Sequence, residues 1–371
     1  SILQPFTFSN GLGLANRVVM APMTTWSANT DESISEQEIA YYRARAKGPG
    51  LVITGCTPVQ PSGVGFTDEF AGYADRHIPS LSRLADAAKS GGAPAILQLF
   101  HAGNKAVPSL IPGQDMVSAS ASTAPAGPFN DGQVESREMA HPEIIQVIRD
   151  FGEATRRAIE AGFDGIELHG AHGFLIQNFF SPLSNHRSDQ WGGSLENRMR
   201  FPLAIVMEVQ RVIRQYADRP FLLGYRISLE ESQEEGLRFI DSKALVRQLA
   251  DAGIDYLHVS LYQLLSDKPK AGGSETYIEA LRDCLGEQVP IISAGGIQTP
   301  EQANAALALG LDLVAIGRAM VMNPDWIDRA KGEVSDSIQT RLRADADPVQ
   351  LGIPDKLWNI IHSTPGWFPI V

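Results

Sequence analysis

The chain is poor in cysteine: Cys56 and Cys284 are the only two among 371 residues. That excludes a disulfide scaffold and a cysteine-built zinc centre. Long hydrophobic runs are missing too. No stretch approaches the roughly 20 apolar residues of a membrane-spanning helix, so none is expected to cross a bilayer. Basic charge is in deficit, with 31 Lys and Arg against 43 Asp and Glu and a formal net charge of −12. Nucleic acid and anionic membrane surfaces are therefore excluded as main partners, whereas a small anionic ligand held by a local basic pocket is not. The start, Ser1–Gly13, has no basic run followed by an apolar stretch, so no secretory signal is expected and a cytoplasmic protein is the default. What is present suits a globular protein: 43% hydrophobic and 20% charged residues.

Length alone would suggest two domains, but (β/α) barrels with insertions reach this size as one. No repeat, low-complexity tract or linker divides the chain, so 1–371 reads as a single domain. Eight β-branched runs predict strands at Arg17–Thr24, Leu51–Thr57, Ala95–Phe100, Asp164–His169, Phe221–Ser228, Tyr256–Ser260, Pro290–Ala294 and Leu313–Gly317. Amphipathic segments follow them, at Ser35–Lys47, Ser80–Ser90, Pro142–Ala161, Ser194–Tyr216, Ser242–Ala252, Ser274–Leu285, Pro300–Leu309 and Pro324–Lys331. Strict alternation calls for parallel strands with crossover helices, and eight such units close a TM-free α/β architecture, the TIM (β/α)8 barrel. An open doubly wound sheet is the competitor. It would want a Gly-rich dinucleotide fingerprint, and neither Gly11-Leu12-Gly13 nor Gly63-Val64-Gly65 supplies the third glycine. Asn10-Gly11 between apolar residues predicts an N-terminal hairpin plugging one end of the barrel. Long loops, 101–141 after the third strand and 170–193 after the fourth, fall at the face where barrels carry function. The tail, Ala344–Val371, has Trp358, Trp367 and Phe368 and is expected to pack.

Catalytic groups of a barrel sit at the strands' C-terminal ends. Those ends carry Thr24, Cys56, Gln98, His169, Arg226, Gly295-Gly296 and Gly317-Arg318. The last two strands, with glycines and Arg318, suit a phosphate cradle; the alternative is that the glycines merely make tight turns. Gln98 offers an amide, Thr24 a hydroxyl and Arg226 a fixed guanidinium, a set that suits a planar heterocycle edged with carbonyls and ring nitrogens, such as an isoalloxazine. Taken singly, Gln98 and Thr24 could be satisfied barrel polar groups and Arg226 an ion-pair partner of Glu167. No HExxH partner accompanies His169 and His172, so a metal is not expected.

The stretch HGAHGFLIQNFFSPLSNHRSDQWGGSLENRMRF (His169–Phe201) resembles the hallmark segment of the old yellow enzyme family of FMN-dependent NAD(P)H oxidoreductases. VVMAPMTTW (Val18–Trp26), LQLFHAG (Leu97–Gly103), SAGGI (Ser293–Ile297) and AIGRAMVMNPDW (Ala315–Trp326) follow in the family's order. The resemblance implies an FMN across the barrel mouth, with NADH or NADPH as reductant. Pro22, Met23 and Thr24 would lie beside the flavin's N5 and O4 edge, and Cys56 would touch the ring. Gln98 and Arg226 would meet its pyrimidine side, and Gly295, Gly296, Gly317 and Arg318 its phosphate. His169 and His172 match the pair that grips an acceptor's carbonyl or nitro oxygen. The acceptor would be a small electron-poor molecule: an activated alkene, a nitro compound, a quinone, oxygen or free flavin.

One departure concerns proton supply. The family usually has Tyr two residues after the second His or Asn, and its phenol protonates the substrate's α-carbon; here that residue is Phe174. Trp26 stands where one branch has a substrate-facing Tyr, and Thr24 where that branch has Cys. Tyr262, beyond the sixth strand, is a candidate substitute donor, as is water. Two rival functions accompany the main reading: an NAD(P)H-dependent flavin reductase or oxidase, and a flavin-binding partner subunit without turnover. A flavin-free phosphate-binding lyase or isomerase barrel is a third, but no strand end carries a Schiff-base Lys. A homo-oligomer is the weak expectation for such a barrel.

Overall fold

Eight parallel strands close on themselves in the order in which the chain supplies them. They are β1 (Val18–Met20), β2 (Leu51–Pro58), β3 (Ala95–Phe100), β4 (Gly165–Gly170), β5 (Leu222–Ile227), β6 (Tyr256–Ser260), β7 (Ile291–Ala294) and β8 (Leu313–Ile316). β8 pairs with β1 and β4 with β5, completing the barrel. The computed structural model describes residues 1–129, 132, 134–332 and 337–371. Helices on the outside are α1 (Glu36–Arg45), α2 (Ile78–Ala88), α3 (His141–Ala161), α4 (Leu195–Tyr216), α5 (Phe239–Ala252), α6 (Tyr277–Leu285), α7 (Pro300–Ala308) and α8 (Arg318–Met322). Their ends follow local chemistry. Ser35, Ser194, Thr276 and Thr299 each accept the backbone N–H three residues on, which satisfies an otherwise orphaned donor. Gly162 and Gly253 stop α3 and α5 in the left-handed region.

The barrel interior is apolar at one end and polar at the other. Val19, Leu51, Ile53, Ile96, Leu222, Ile292 and Leu313 pack with Phe8 and Leu14. Phe8 and Leu14 come from the N-terminal hairpin, whose strands Phe6–Thr7 and Gly13–Leu14 pair antiparallel, so the expected plug is present. Toward the opposite end the inward positions of β3 to β6 include Gln98, Glu167, Arg226 and His258, because side-chain direction alternates along a strand, with the small Ala21, Ala294 and Ala315 on the strands beside them. That end is the mouth.

The strands and helices fall close to their predicted positions, the expected Pro324–Lys331 helix as Trp326–Ala330, with four differences, the first being the short unpredicted α8 directly after β8. β1 ends at Met20 rather than Thr24: Ala21 N–H still bonds the Ile316 carbonyl at 3.0 Å, but Pro22 has no N–H to continue the ladder. The 101–141 loop holds a small sheet of Val117–Ser118, Ser122–Thr123 and Glu135–Glu138, strands too short to show a periodicity. The 170–193 loop contains a helix, Leu175–Phe180, buried at every residue and therefore without an amphipathic pattern. The tail packs as expected, through the helix Asp355–Ser363 and buried Phe368. Among the described residues, no helix is long and apolar enough to cross a membrane.

Candidate active site

The segment after β1 enters the mouth across β2. A Cβ on Gly55 would stand 2.5 Å from the Met23 carbonyl oxygen, so glycine permits this crossing. The β2–β3 register shifts between Thr54 and Thr57, a bulge of the kind that re-aims side chains next to active sites. Cys56 lies in it, buried, with Sγ 3.7 Å from Thr24 Oγ1. Burial pushes its thiol well up, so Cys56 is a neutral packing group rather than a nucleophile. Pro22 is buried beside Met23 and Thr24. Thr25 donates its hydroxyl proton to buried Glu38 on α1, whose carboxyl burial pushes up to about 7. That anchor holds Trp26 in the left-handed region at φ 47°. The Trp26 ring then meets Phe66, Phe129 and Trp367 at centroid distances of 5.4, 5.2 and 5.6 Å, an aromatic wall along one side of the mouth.

Across the mouth, β3 to β6 present a polar floor. Glu167 is fully buried and accepts from Gln98 Nε2 at 2.7 Å, the Tyr256 hydroxyl at 2.9 Å and His258 Nδ1 at 2.8 Å. Burial raises its pKa, but the hydrogen bonds from His258 and Gln98 and the charge of Arg226 outweigh that and hold the carboxylate below its ordinary range. Burial likewise holds His258 below the usual imidazole range, in the neutral form. Since Nδ1–H donates to Glu167, Nε2 is a bare acceptor, and it has no partner among the described residues. Arg226 is the complementary case: Nη2 reaches Ser260 Oγ at 3.3 Å, while buried Nε has no acceptor among the described residues. Glu167 thus turns its oxygens to Gln98, Tyr256 and His258 instead of an Arg226 ion pair. An unpaired donor and an unpaired acceptor beside the Gln98 amide are what the carbonyl and ring-nitrogen edge of an isoalloxazine would satisfy, and buried polar groups are normally satisfied.

His169, the penultimate residue of β4, is buried, and its ring lies 4.9 Å from that of His172. Burial, together with the charges of Arg226 and Lys105, holds the His169 ring well below the ordinary imidazole pKa, and the same two charges push His172, at the exposed rim, in the same direction. A neutral imidazole carries one ring proton. At His169, Nδ1 accepts the Ala171 N–H at 3.3 Å, so the proton is on Nε2. His172 sits in the left-handed region at φ 58°, its N–H bonding Ser228 Oγ at 3.0 Å and its Nε2 2.7 Å from Ser260 Oγ. Phe174 is 6% exposed and packs against Phe100 and His169 at 5.0 and 4.9 Å.

Gly295 and Gly296 follow β7, and Gly317 and Arg318 follow β8, side by side. Gly296 has φ 72°, and a Cβ on Gly295 would come 2.7 Å from the Leu261 carbonyl oxygen, so the tight turn requires glycine. The Arg318 guanidinium is exposed and donates to the Trp367 carbonyl, tying the tail to the same rim. Tyr262 is the expected site residue that stays outside: its side chain is 90% exposed, out in solvent beyond β6. His258, Ser260 and Lys105 went unpredicted. His258 and Ser260 share inward parity with Tyr256 on β6, a signal legible in the sequence once the strand is placed. Among the described residues, no cluster of His, Cys, Asp or Glu is arranged to hold a metal ion.

Residues 1–337 match the NADH:flavin oxidoreductase / NADH oxidase family. The probable NADH-dependent flavin oxidoreductase YqiG of Bacillus subtilis (strain 168) is 40% identical over 369 residues, covering 99% of this chain and 97% of that protein. The NADH:fumarate oxidoreductase of Klebsiella pneumoniae (strain 342) is 41% identical over 362 residues, 96% of this chain but 38% of its own length, so the chain spans well under half of that relative. Among solved structures, the old yellow enzyme homologue from Zymomonas mobilis superposes with a TM-score of 0.80 at 26% identity, covering 96% of this chain and 99% of that one.

Proposed function

The chain belongs to the NADH:flavin oxidoreductase / NADH oxidase family, an enzyme family with FMN as cofactor and NADH or NADPH as reductant, and from that premise we propose that it is a single-domain enzyme delivering hydride to a small electron-poor acceptor held by His169 and His172. FMN supplies the two-electron relay between nicotinamide and acceptor, which use the same mouth in turn. Arg226 and Gln98 hold the ring's pyrimidine edge, and the fixed guanidinium favours negative charge there. Met23, Thr24 and the bulge at Cys56 line the opposite edge, with Pro22 behind them. Gly295, Gly296, Gly317 and Arg318 cradle the phosphate. The acceptor's oxygen takes the His169 Nε2–H, which draws charge away from the carbon that receives hydride. His172, pinned by Ser228 and Ser260, supplies the second contact. The wall of Trp26, Phe66 and Phe174 restricts the mouth to flat, small molecules.

The observation that carries this reading is the His169 tautomer: a backbone N–H occupies Nδ1, leaving the ring's one proton on Nε2. The rival flavin reductase or oxidase draws its support from Phe174, since reduction of oxygen or free flavin needs no carbon protonation. Reduced holoenzyme mixed anaerobically with a cyclic enone, a quinone and free FMN separates the two. The expected result is reoxidation by quinone and enone that a simple phenol blocks by competition. Reoxidation by free FMN alone, or in a parallel aerobic mix by oxygen alone, would favour the reductase or oxidase.

A further inference from the structure

The acceptor reading above leaves a proton unaccounted for. Hydride addition to the β-carbon of an alkene conjugated to a carbonyl leaves an enolate, whose α-carbon must take up a proton, and Phe174 has none to give. The nearby hydroxyl and imidazole groups are engaged elsewhere. The Tyr256 hydroxyl donates to Glu167 beneath the floor. The Tyr225 hydroxyl lies against Gly170, and the Tyr225 ring belongs to the core outside the barrel. His101 accepts the Gly103 N–H at Nδ1 and faces Ser62 Oγ at Nε2, and burial holds its pKa down to about 3. Glu69 Oε2 receives the N–H groups of Gly65 and Phe66 inside its own loop; its Oε1 is buried without a partner among the described residues and burial holds the carboxyl well above its ordinary range, but no contact sets it against His169, His172 or the Phe174 ring. Tyr262 stands in solvent.

Lys105 is different. It follows β3 in a short turn, and its half-buried side chain crosses the mouth to place Nζ 2.6 Å from the His172 carbonyl oxygen. Nζ stands 5.7 Å from the centroid of the Phe174 ring. Gly173, at φ 73°, makes room for it: a Cβ there would come within 3.1 Å of both Nζ and Cε. One N–H of the ammonium is committed to His172, which leaves two directed elsewhere. We propose that Lys105 Nζ is the proton donor to the acceptor's α-carbon, standing in for the phenol that Phe174 lacks. The proposal rests on the reading that His169 and His172 hold an activated alkene. In the step, the β-carbon has received hydride originating from NAD(P)H, the α-carbon forms a C–H bond with a Lys105 proton as the N–H bond breaks, and the neutral amine regains a proton from water at the open rim. The overall balance is alkene plus NAD(P)H plus one proton giving the saturated product and NAD(P)+.

The charged and titratable groups around Lys105 are consistent with this role. His172 and His169 are neutral, Arg226 lies on the floor, and Glu231 on the loop after β5 favours the ammonium form. Burial nonetheless pulls the amine below the ordinary lysine range, which makes its proton easier to transfer.

The test compares Lys105→Met, Lys105→Arg and Lys105→Met/Phe174→Tyr as FMN-loaded enzymes. Arg keeps the cation but does not release a proton in a protein. The readouts are the enone-to-quinone ratio of reoxidation rates, the facial selectivity of α-deuteration in heavy water, and phenol affinity of the oxidised enzyme. Both single variants should lower the rate ratio by about 10²–10⁴ and scramble the α-deuterium while still binding phenol. The wild-type enone rate should fall on the alkaline side at a pH below the ordinary lysine range. The double variant should recover rate and selectivity through the restored phenol. An unchanged ratio and selectivity in Lys105→Met overturns the assignment, as does full rescue by Lys105→Arg, which would make the lysine an electrostatic anchor. If wild type binds phenol and reduces quinone but no enone, the alkene reading itself falls, and the role of Lys105 with it.

Discussion

Replacing His169 and His172 together by alanine should weaken phenol binding to the oxidised enzyme by roughly 10²–10⁴-fold, and the long-wavelength charge-transfer absorption of the complex should vanish with it. A phenolate is an electron-rich ring with an anionic oxygen, so it can stack over an electron-poor flavin while its oxygen faces the imidazoles. Two charge-assisted hydrogen bonds at about 1.5–3 kcal/mol each amount to about 3–6 kcal/mol, which gives that factor in Kd. FMN should stay bound, because Arg226, Gln98 and the glycine turns are untouched. His169→Asn, which keeps an N–H donor group in its amide, should lose less. The check is a spectrophotometric titration with a para-substituted phenol. A double variant with wild-type affinity would remove the pair from the acceptor site.

Glu167→Ala should destabilise the protein by about 3–5 kcal/mol, a large part of the 5–15 kcal/mol by which proteins are ordinarily stable. The substitution leaves Gln98 Nε2, the Tyr256 hydroxyl and His258 Nδ1–H without their shared acceptor inside a closed barrel. It also leaves Arg226 without a nearby counter-charge. Glu167→Gln has nearly the same shape, yet its amide group must face donors, so it should lie between the two. The pH dependence has a fixed sign. The folded pKa of Glu167 is depressed, so its contribution is complete above the ordinary carboxylate value of 4.5 and is lost as pH falls through the lower folded value. The stability gap between wild type and Glu167→Ala in denaturant melts should therefore be flat from neutral pH to about 4.5 and shrink below it. A gap that shrinks already between pH 7 and 5 would mean that Glu167 is not held as the carboxylate.

The barrel was legible in the sequence because every strand–helix unit carries its own punctuation: capping Ser or Thr at the start of a helix, Gly at its end, a β-branched run next. Inward parity and strand ends then led to Gln98, His169 and Arg226. What stayed hidden depends on contacts between distant segments. The sequence contained Glu167, but its three donors come from β3 and β6. Lys105 looks like a surface residue of a long loop until the fold sets it against Phe174. Tyr262 erred in the opposite direction: it lies two residues past inward-facing Ser260, but β6 has ended there, so strand parity no longer governs where its ring points. The His169 tautomer depends on one backbone N–H that no residue pattern encodes.

The central claim is that this mouth holds FMN and passes electrons from a nicotinamide to an acceptor. The most direct test is the visible spectrum of the purified protein during an anaerobic titration with NADH, followed by an acceptor. The account predicts an oxidised flavin spectrum, FMN equimolar with the chain on release, bleaching by NADH and return of colour on adding quinone. A protein that retains FMN but is bleached by neither NADH nor NADPH would be a binding subunit without turnover, and a colourless protein that takes up no added FMN would contradict the assignment of Arg226, Gln98 and the glycine turns outright.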